Sequence, residues 1–355
     1  MPTPLQDLFG IDAPIVLGPF GGLSSVELTA AVSDAGGLGS YGLYGYSADR
    51  ISDTIAALRS ATTRPFAVNL WLPTGDEVAP GDVDLRPAIE AAAPLFDELG
   101  LARPAPPFEF MPDVDAQVTA VLDAAPAVLS VVFGVPSDRL VAAAHSRGIR
   151  LIGTATTVAE AVALDAAGVD AVVATGAEAG GHRVSFLRPA EQSLIGTFAL
   201  VPQVVDAVRV PVIAAGGIAD RRGVAAAFAL GASGVQVGSA FLRTRQSAAT
   251  AAHRQAIAGA ADTGTVLTRA MSGRLARGIP NRAMRALETA GVIAPFPAQN
   301  WLTGQFRTEA ARRGEGELVS LWAGQAAGLA VLDDATDVFA ELRAGVPQAA
   351  GGNAA

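Results

Sequence analysis

Residues 210–241 of the chain read VPVIAAGGIADRRGVAAAFALGASGVQVGSAF. Two short apolar runs, at 212–215 and 234–237, each lead into a turn of small residues, and an Ala-rich run at 221–230 lies between them. Near-continuous apolar runs are typical of strands buried on both faces, as in a parallel sheet, and such strands are joined by helices. The stretch therefore predicts two neighbouring βα units.

The same alternation extends over most of the chain. Further apolar runs lie at 15–18, 39–41, 66–70, 128–133, 150–154 and 171–175, and further helical runs lie at 24–35, 48–61, 137–147, 158–167 and 198–208. Residues 163–176 also resemble residues 227–240, as neighbouring barrel units would, although Ala-, Gly- and Val-rich sequences can resemble one another by chance. Eight strands that alternate with helices predict a TIM (β/α)8 barrel, an α/β fold in which a parallel sheet closes on itself.

Two regions fall outside this alternation. Residues 73–113 follow the third strand and are rich in Pro and acidic residues, and residues 244–343 follow the eighth strand with helical runs broken at Pro280 and at 295–297. We expect a barrel over 1–72 and 114–243, a helical lid or substrate subdomain formed by 73–113 and 244–343, and a flexible tail over 344–355. Both added regions follow the C-terminal ends of strands, where the active sites of such barrels lie.

The composition excludes several kinds of chemistry. The net charge is −9 and the chain has no basic run, so neither nucleic acid nor an anionic membrane is expected as a partner. No apolar run approaches ~18 residues and the N-terminus lacks a signal-peptide pattern, so we expect a cytoplasmic protein. The chain has no Cys, and all 25 of its Lys and Arg residues are Arg. His, Tyr and carboxylates are left for acid–base work, and no metal site is expected.

The two turns within residues 210–241 are suited to binding a phosphate. Gly216 and Gly217 follow the seventh strand, and Gly238 and Ser239 follow the eighth. Glycines let a phosphate approach the backbone N–H groups, and the Ser239 hydroxyl is a further donor. The loops after these two strands also form the phosphate site of many barrels. The alternative is that the glycines serve only the turns, but two such turns in succession favour a phosphate site.

One of the three histidines follows two glycines in the stretch GAEAGGHRVSF, residues 176–186. Gly180 and Gly181 would let a flat ring lie against the backbone, with His182 beside it on the catalytic face of the barrel. A histidine there is suited to acid–base chemistry. The alternative is a loop histidine that binds a neighbouring carboxylate. His145 and His253 lie in helical runs beside arginines, and we expect both at the surface.

Asn69 lies at the end of the third predicted strand, in the segment FAVNLWLP. Its side-chain amide can both donate to and accept from the polar edge of a heterocycle. The alternative is an asparagine that only stabilises a turn at the strand end. Because the C-terminal ends of barrel strands meet at one mouth, we expect Asn69 at the edge of a ring bound near Gly180.

These stretches together resemble the nitronate monooxygenases, formerly called 2-nitropropane dioxygenases. The resemblance covers most of the chain and is carried by GPFGGLSSVELTAAVSDAGGLG, VNLW, GTATTVAEA, GAEAGGHR, AAGGIADRRGVAAAFALGASGVQVGSAFL, SGRLARGIPNR and SLWAGQAAGL. The block from EAGGHR to GVQVGSAF is the most specific part. The resemblance implies a TIM barrel with a helical lid that carries FMN and oxidises alkyl nitronates with O2 to carbonyl compounds and nitrite.

The resemblance also implies roles for individual residues. His182 matches the catalytic histidine of the family. The family's FMN contacts match Asn69, Gly180, Gly217, Gln236, Val237, Gly238 and Ser239. We expect Thr175, Gly181 and Gly216 to complete the FMN site. Three positions differ from the common family pattern, with Phe20 in place of Met, Thr175 in place of Gln and Val184 in place of Gly.

The sequence leaves other functions open. A flavin-dependent enoyl-acyl-carrier-protein reductase or an NAD(P)H:quinone reductase would share the barrel and FMN, but would need a nicotinamide to reduce the flavin. The chain has no GxGxxG after a strand, although nicotinamides can bind without one. A third function is a barrel that binds a phosphorylated ligand without redox chemistry. For the favoured function the partners are a small-molecule substrate and O2. The oligomeric state is left open, with a homodimer as one option.

Overall fold

The computed structural model describes residues 3–347. These residues form eleven strands: β1 (Ile15–Leu17), β2 (Gly39–Gly42), β3 (Phe66–Trp71), β4 (Val128–Val132), β5 (Arg150–Ala155), β6 (Ala171–Thr175), β7 (Gly181–His182), β8 (Val212–Ala215), β9 (Gly234–Val237), β10 (Val266–Thr268) and β11 (Ala276–Gly278). Eight of them form one parallel sheet in the order β1-β9-β8-β6-β5-β4-β3-β2. Val16 of β1 also pairs with Leu38 beside β2, so the two end strands meet and the sheet closes. The predicted (β/α)8 barrel is confirmed, and each predicted strand agrees with the observed one to within one residue at either end.

The same residues form fourteen α-helices: α1 (Pro4–Phe9), α2 (Val26–Asp34), α3 (Ala48–Ala61), α4 (Arg86–Glu98), α5 (Val114–Ala124), α6 (Asp138–Ser146), α7 (Val158–Ala166), α8 (Thr197–Ala207), α9 (Arg221–Ala229), α10 (Ser239–Leu242), α11 (Ala251–Ala258), α12 (Arg282–Ala290), α13 (Ala298–Arg313) and α14 (Ala335–Arg343). Side chains of α2, α3, α5, α7, α8 and α9 pack on the outward face of the barrel strands. Among residues 3–347 there is no helix that is long and apolar enough to cross a membrane.

The barrel interior has two layers of side chains. The lower layer is apolar and packs against Leu5 and Phe9 of α1; its barrel members are Val16, Leu38, Ala67, Val128, Ile152, Ala171, Val173, Ile213 and Ala215. Successive residues of a strand point to opposite faces, so the next inward position lies two residues further on. At the C-terminal ends of the strands these positions are polar, and they are Asn69, Ser130, Thr154, Thr175 and Gln236. The polar side chains that could bind a ligand therefore lie at the C-terminal mouth of the barrel.

A second apolar core lies outside the barrel. Helix α4, from the inserted region, packs against α12 and α13 from the C-terminal region. Their shared core includes Phe96, Met284, Leu302 and Phe306. The breaks expected at Pro280 and at 295–297 precede the starts of α12 and α13. We use the name lid for α4, α12 and α13 together with β10 and β11.

The C-terminal helix differs from the sequence expectation. The segment 244–343 was expected to belong to the lid as a whole, but α14 packs against α2, α9 and β1 of the barrel. Its side chains Val338, Phe339 and Leu342 belong to the barrel core. The chain thus leaves the barrel after β9, builds the lid and returns to supply the last outer helix. Of the expected tail at 344–355, residues 348–355 lie outside the described residues, and Val346 packs against the barrel core.

The lid core generates a stability prediction. Phe96 is 1% exposed and its ring meets that of Phe306 edge-on at 5.6 Å, whereas Phe108 of the same insertion is 98% exposed. Phe96→Ala leaves a cavity in the lid and should lower the free energy of unfolding by about 3–5 kcal/mol. Denaturant unfolding measures the loss, with Phe108→Ala as the matched control. Equal stability of the two variants would contradict the described lid core.

Candidate active site

A cavity of about 400 Å³ lies between the C-terminal mouth of the barrel and the lid. That volume is within the range of small-molecule and cofactor sites. The structure brings together ten of the eleven predicted site residues as lining residues: Asn69, Thr175, Gly180, Gly181, His182, Gly216, Gly217, Gln236, Gly238 and Ser239. Val237 is the exception, because its side chain packs in the barrel core and its carbonyl accepts the N–H of Gly18. The strand alternation that turns Gln236 inward turns Val237 outward.

Asn69 is fixed by a neighbouring strand. Its Nδ2 donates to Ser130 Oγ at 2.8 Å and to Ser130 O at 3.2 Å. A backbone carbonyl can only accept, so the nitrogen must face Ser130 and the oxygen Oδ1 is turned the other way. Oδ1 accepts no hydrogen bond from the described part of the chain. The amide is therefore held by the barrel and offers an acceptor to a ligand.

The two glycine turns form a cradle. Gly216 and Gly217 have positive φ angles of 100° and 72°, and a Cβ on Gly216 would lie 2.9 Å from Thr197 Oγ1. Within residues 3–347, the backbone N–H groups of Gly217 and Ser239 have no hydrogen-bond acceptor. Free N–H groups beside residues without side chains are what a phosphate requires. The Ser239 Oγ accepts the N–H of Gly324 at 2.9 Å, which leaves its own O–H free to donate.

The loop before His182 touches the chain that follows the lid. We call residues 320–326, with the sequence SLWAGQA, the strap. A Cβ on Gly180 would lie 2.6 Å from the backbone of the strap at Ala323, so only glycine fits there. Gly181 has a φ of 76°, and a Cβ there would meet no atom within 4 Å. One glycine therefore permits the contact with the strap, and the other faces open space in the cavity.

His182 lies on the short strand β7, which pairs with Ala276 of β11 and thereby joins the lid to the barrel mouth. Its Nε2 forms a hydrogen bond of 2.8 Å with Ser272 Oγ. The ring lies 4.9 Å from Trp71 and 5.4 Å from Trp322, measured between centroids. The alternative of a loop histidine bound to a carboxylate is therefore not what the structure shows.

The surroundings of His182 keep it neutral. Burial, together with the positive charges of Arg274 and Arg307, lowers the pKa of His182 to about 3. A neutral imidazole has one nitrogen that accepts and one that donates. Because Nε2 is engaged by Ser272, Nδ1 is the atom left for a ligand, and no group of residues 3–347 bonds to it.

The other two histidines differ from each other. His145 is exposed on α6 and pairs with Asp170 at 2.9 Å, as expected for a surface residue. The surface expectation for His253 was wrong, because only 1% of it is exposed and its Nε2 donates to the carbonyl of Trp322 at 3.0 Å. Burial lowers the pKa of His253 to about 4. His253 on α11 thus binds the backbone of the strap through this hydrogen bond.

Sequence reasoning missed an aromatic wall that faces the ligand space. Tyr44 lies 4.2 Å from Trp71, and Trp71 in turn stacks on Phe296 at 5.9 Å. The Tyr44 hydroxyl accepts a hydrogen bond of 2.9 Å from Asn300, and burial raises its pKa to about 12. Tyr44 is therefore neutral, and the wall excludes water from the space beside His182.

Sequence reasoning also missed two arginines near His182, of which Arg274 is buried and Arg307 is partly buried. Arg274 lies between the rings of Phe133 and Phe296, at 4.5 and 4.0 Å from their centroids. It pairs with Asp76 and with Glu77, the latter at 2.7 Å, and so ties the insertion to the lid. Arg307 of α13 lines the cavity itself. The sequence contains a signal for Arg274, because this residue lies in the segment SGRLARGIPNR that matches the family. No motif marks Arg307.

Two glycine turns with free N–H groups, an acceptor at a strand end and a neutral, partly buried histidine meet at one barrel mouth, as in barrel enzymes that work with a bound cofactor. Residues 2–343 match the family model described as nitronate monooxygenase. A probable nitronate monooxygenase of Staphylococcus aureus (strain Newman) is 38% identical over 340 residues, which cover 95% of each chain.

Two solved structures are similar over the same span. Nitroalkane oxidase from Streptomyces ansochromogenes has a TM-score of 0.83 at 35% identity, covering 95% of this chain and 96% of that one. FabK from Thermotoga maritima has a TM-score of 0.75 at 29% identity, covering 96% and 95%. The chain belongs to the nitronate monooxygenase family, and the protein is a flavin-dependent oxidoreductase. The family resemblance of the sequence is thereby confirmed.

The surroundings of His182 generate a prediction for titration. His182 should remain neutral from pH 8 to pH 5, because its pKa has moved from the ordinary 6.5 to about 3. Between those two values the unfolded chain binds a proton that the folded chain does not, so His182 lowers the stability as the pH falls through this window. ¹⁵N NMR of the labelled imidazoles measures this, with His182→Gln to assign the signal. A His182 transition near pH 6.5 would contradict the buried environment.

Proposed function

We propose that the protein binds FMN in this cavity and oxidises alkyl nitronates with O2 to carbonyl compounds and nitrite. The observation that carries the proposal is that Gly217, Ser239 and a neutral, partly buried His182 line one cavity together with aromatic side chains. Family membership and the similarity to a nitroalkane oxidase support the same reaction class.

The residues present fit FMN. The free N–H groups of Gly217 and Ser239 would hold the phosphate, and the Oδ1 of Asn69 would accept from the polar edge of the flavin ring. The backbone at Gly180 and Gly181 is accessible to a flat ring because no side chain covers it. The flavin supplies the redox chemistry, and the protein supplies binding, orientation and electrostatics. A single cradle and the lack of a dinucleotide fingerprint favour FMN over FAD.

The side chains of the cavity have separate tasks in the proposed reaction. His182 presents Nδ1 to the substrate because Ser272 occupies Nε2. With a neutral nitroalkane, Nδ1 is the atom that would accept the α-proton, but a pKa of about 3 makes it a weak general base, so the site favours a substrate that is already deprotonated. With a nitronate, which is already deprotonated, His182 orients the nitro group. Trp71 and Trp322 keep water from the reacting atoms, and the Ser272 contact keeps the imidazole from rotating.

Anaerobic mixing of the flavin-loaded protein tests the proposed function. Ethyl nitronate should bleach the flavin without O2. Admission of O2 should restore the flavin colour, and the oxidised nitronate should appear as acetaldehyde and nitrite. NADH and NADPH should bleach the flavin slowly or not at all. Rapid bleaching by a nicotinamide, with none by ethyl nitronate, would replace the proposal with a flavin-dependent enoyl-acyl-carrier-protein or quinone reductase. A colourless protein that cannot be loaded with flavin would point to a phosphorylated ligand instead.

The cradle generates a prediction for flavin content. Gly217→Asp and Gly238→Asp should each lose FMN, because a carboxylate about 4 Å from a phosphate costs about 4 kcal/mol per pair of unit charges. The flavin-to-protein absorbance ratio measures binding, and the mass of the flavin released by denaturation identifies it as FMN. Gly81→Asp, in an exposed part of the insertion where a Cβ meets no atom within 4 Å, is the control. Full flavin content in both cradle variants would show that the phosphate lies elsewhere.

A further inference from the structure

Arg307 is a partly buried cation in the wall of the cavity, and its hydrogen bonds go to neutral groups. Its Nη1 donates to Ser320 Oγ at 2.8 Å. Its Nη2 donates to the carbonyl of Asn300 at 3.0 Å and to the Oδ1 of the same residue at 2.8 Å. No carboxylate of residues 3–347 lies within 4.0 Å of its guanidinium. The charge of Arg307 is therefore not neutralised by a salt bridge within the described structure.

The neighbouring cation is different. Arg274 is the more deeply buried of the two, between aromatic rings, and it is neutralised by Asp76 and Glu77. Burial lowers the pKa of Arg307 to about 10, so it stays charged at neutral pH. The titratable and charged groups around the ligand space are Tyr44, Glu178, His182, Arg274 and Arg307. Tyr44 and His182 are neutral. The carboxylate of Glu178 accepts hydrogen bonds from Thr197, so the guanidinium of Arg307 has no counter-charge within 4.0 Å among residues 3–347.

Two of the five N–H groups of Arg307 are unused. The contacts with Ser320 and Asn300 take three, which leaves the Nε–H and one hydrogen on Nη1. The Nε atom is buried without a partner among the described residues. Burying a cation without a counter-charge is costly, and such a group in a ligand cavity is matched when the ligand brings the opposite charge. The three neutral contacts fix the guanidinium in place without satisfying its charge.

We propose that Arg307 makes this site selective for an anionic substrate, because its guanidinium holds the planar, negatively charged NO2 group of a nitronate. The proposal rests on the proposed function and names the residue that decides between two forms of one substrate. A neutral nitroalkane of the same carbon skeleton gains no charge-assisted hydrogen bond from Arg307. The nitronate gains one, as carboxylates do from arginine.

Binding without turnover tests the proposal first. Acetate is a planar oxyanion with a charge distribution like that of a nitronate, and acetamide is its neutral isostere. The flavin-loaded protein should bind acetate, and it should bind acetamide at least about tenfold more weakly. Calorimetry or the change in the flavin spectrum measures both affinities. Arg307→Gln should weaken acetate binding by about tenfold or more, and Arg307→Lys should retain part of it. Arg285→Gln, on an exposed arginine of α12, is the control.

Turnover and titration supply two further readouts. In Arg307→Gln, KM for ethyl nitronate should rise by about tenfold or more, while kcat/KM for nitroethane should change by less than about threefold. The pKa of His182, read by ¹⁵N NMR, should rise in Arg307→Gln because one nearby positive charge is gone, and should stay low in Arg307→Lys. These shifts separate an electrostatic role of Arg307 from a purely structural one.

The outcomes distinguish the two proposals. Equal binding of acetate and acetamide to the wild type would overturn the role of Arg307, and so would unchanged acetate binding in Arg307→Gln. If Arg307→Gln does not fold, the role of Arg307 is tested by comparing acetate with acetamide in the wild-type protein and by acetate binding to Arg307→Lys. Acetate binding that depends on Arg307, without oxidation of ethyl nitronate, would support the anion subsite and refute the proposed function. Oxidation of ethyl nitronate that does not change when Arg307 is replaced would support the proposed function and refute the anion subsite at Arg307.

Discussion

The active-site cavity depends on a contact between two pieces of backbone. The loop at Gly180 and the strap at Ala323 and Gly324 approach so closely that a Cβ on Gly180 would lie 2.6 Å from the strap. The N–H of Gln325 donates to the carbonyl of Glu178 at 2.9 Å across the same contact. This contact closes the cavity between the barrel and the chain that returns from the lid, and it carries Trp322 to the ring of His182. Glycine is required there for space alone.

The electrostatics of the cavity follow from that closure. Once water is excluded, an imidazole near two arginines is held neutral and a tyrosine is held protonated. Arg274 is neutralised by carboxylates of the insertion, whereas Arg307 has no carboxylate within 4.0 Å among the described residues. A neutral acceptor beside a fixed positive charge suits a substrate that carries, or develops, a negative charge. The two glycine turns at the strand ends are distinct from the residues around His182 and Arg307, so under the proposed function the cofactor phosphate and the substrate would use different groups.

The sequence was sufficient to predict the barrel and the residues at the ends of its strands. Eight short apolar runs that alternate with helical runs are typical of strands buried on both faces, and polar or glycine residues at their C-terminal ends are expected at the mouth, where Asn69, Gly217 and His182 lie. The residues contributed by the lid could not be predicted, because no periodicity shows which segment after the eighth strand folds back over the cavity. Arg307 and buried His253 were missed for this reason, whereas Tyr44 was missed because it lies in the loop after the second strand, where no motif marks it. The match to the family motif included Val237, but the alternation of the strand turns its side chain away from the cavity.

The most direct test of the account is the crystal structure of the flavin-loaded protein with acetate. The account predicts the flavin phosphate against the N–H groups of Gly217 and Ser239, the flavin ring near Asn69 and Gly180, and acetate between His182 and Arg307. Electron density for the phosphate at another place, or for acetate away from Arg307, would contradict the arrangement from which the function was inferred.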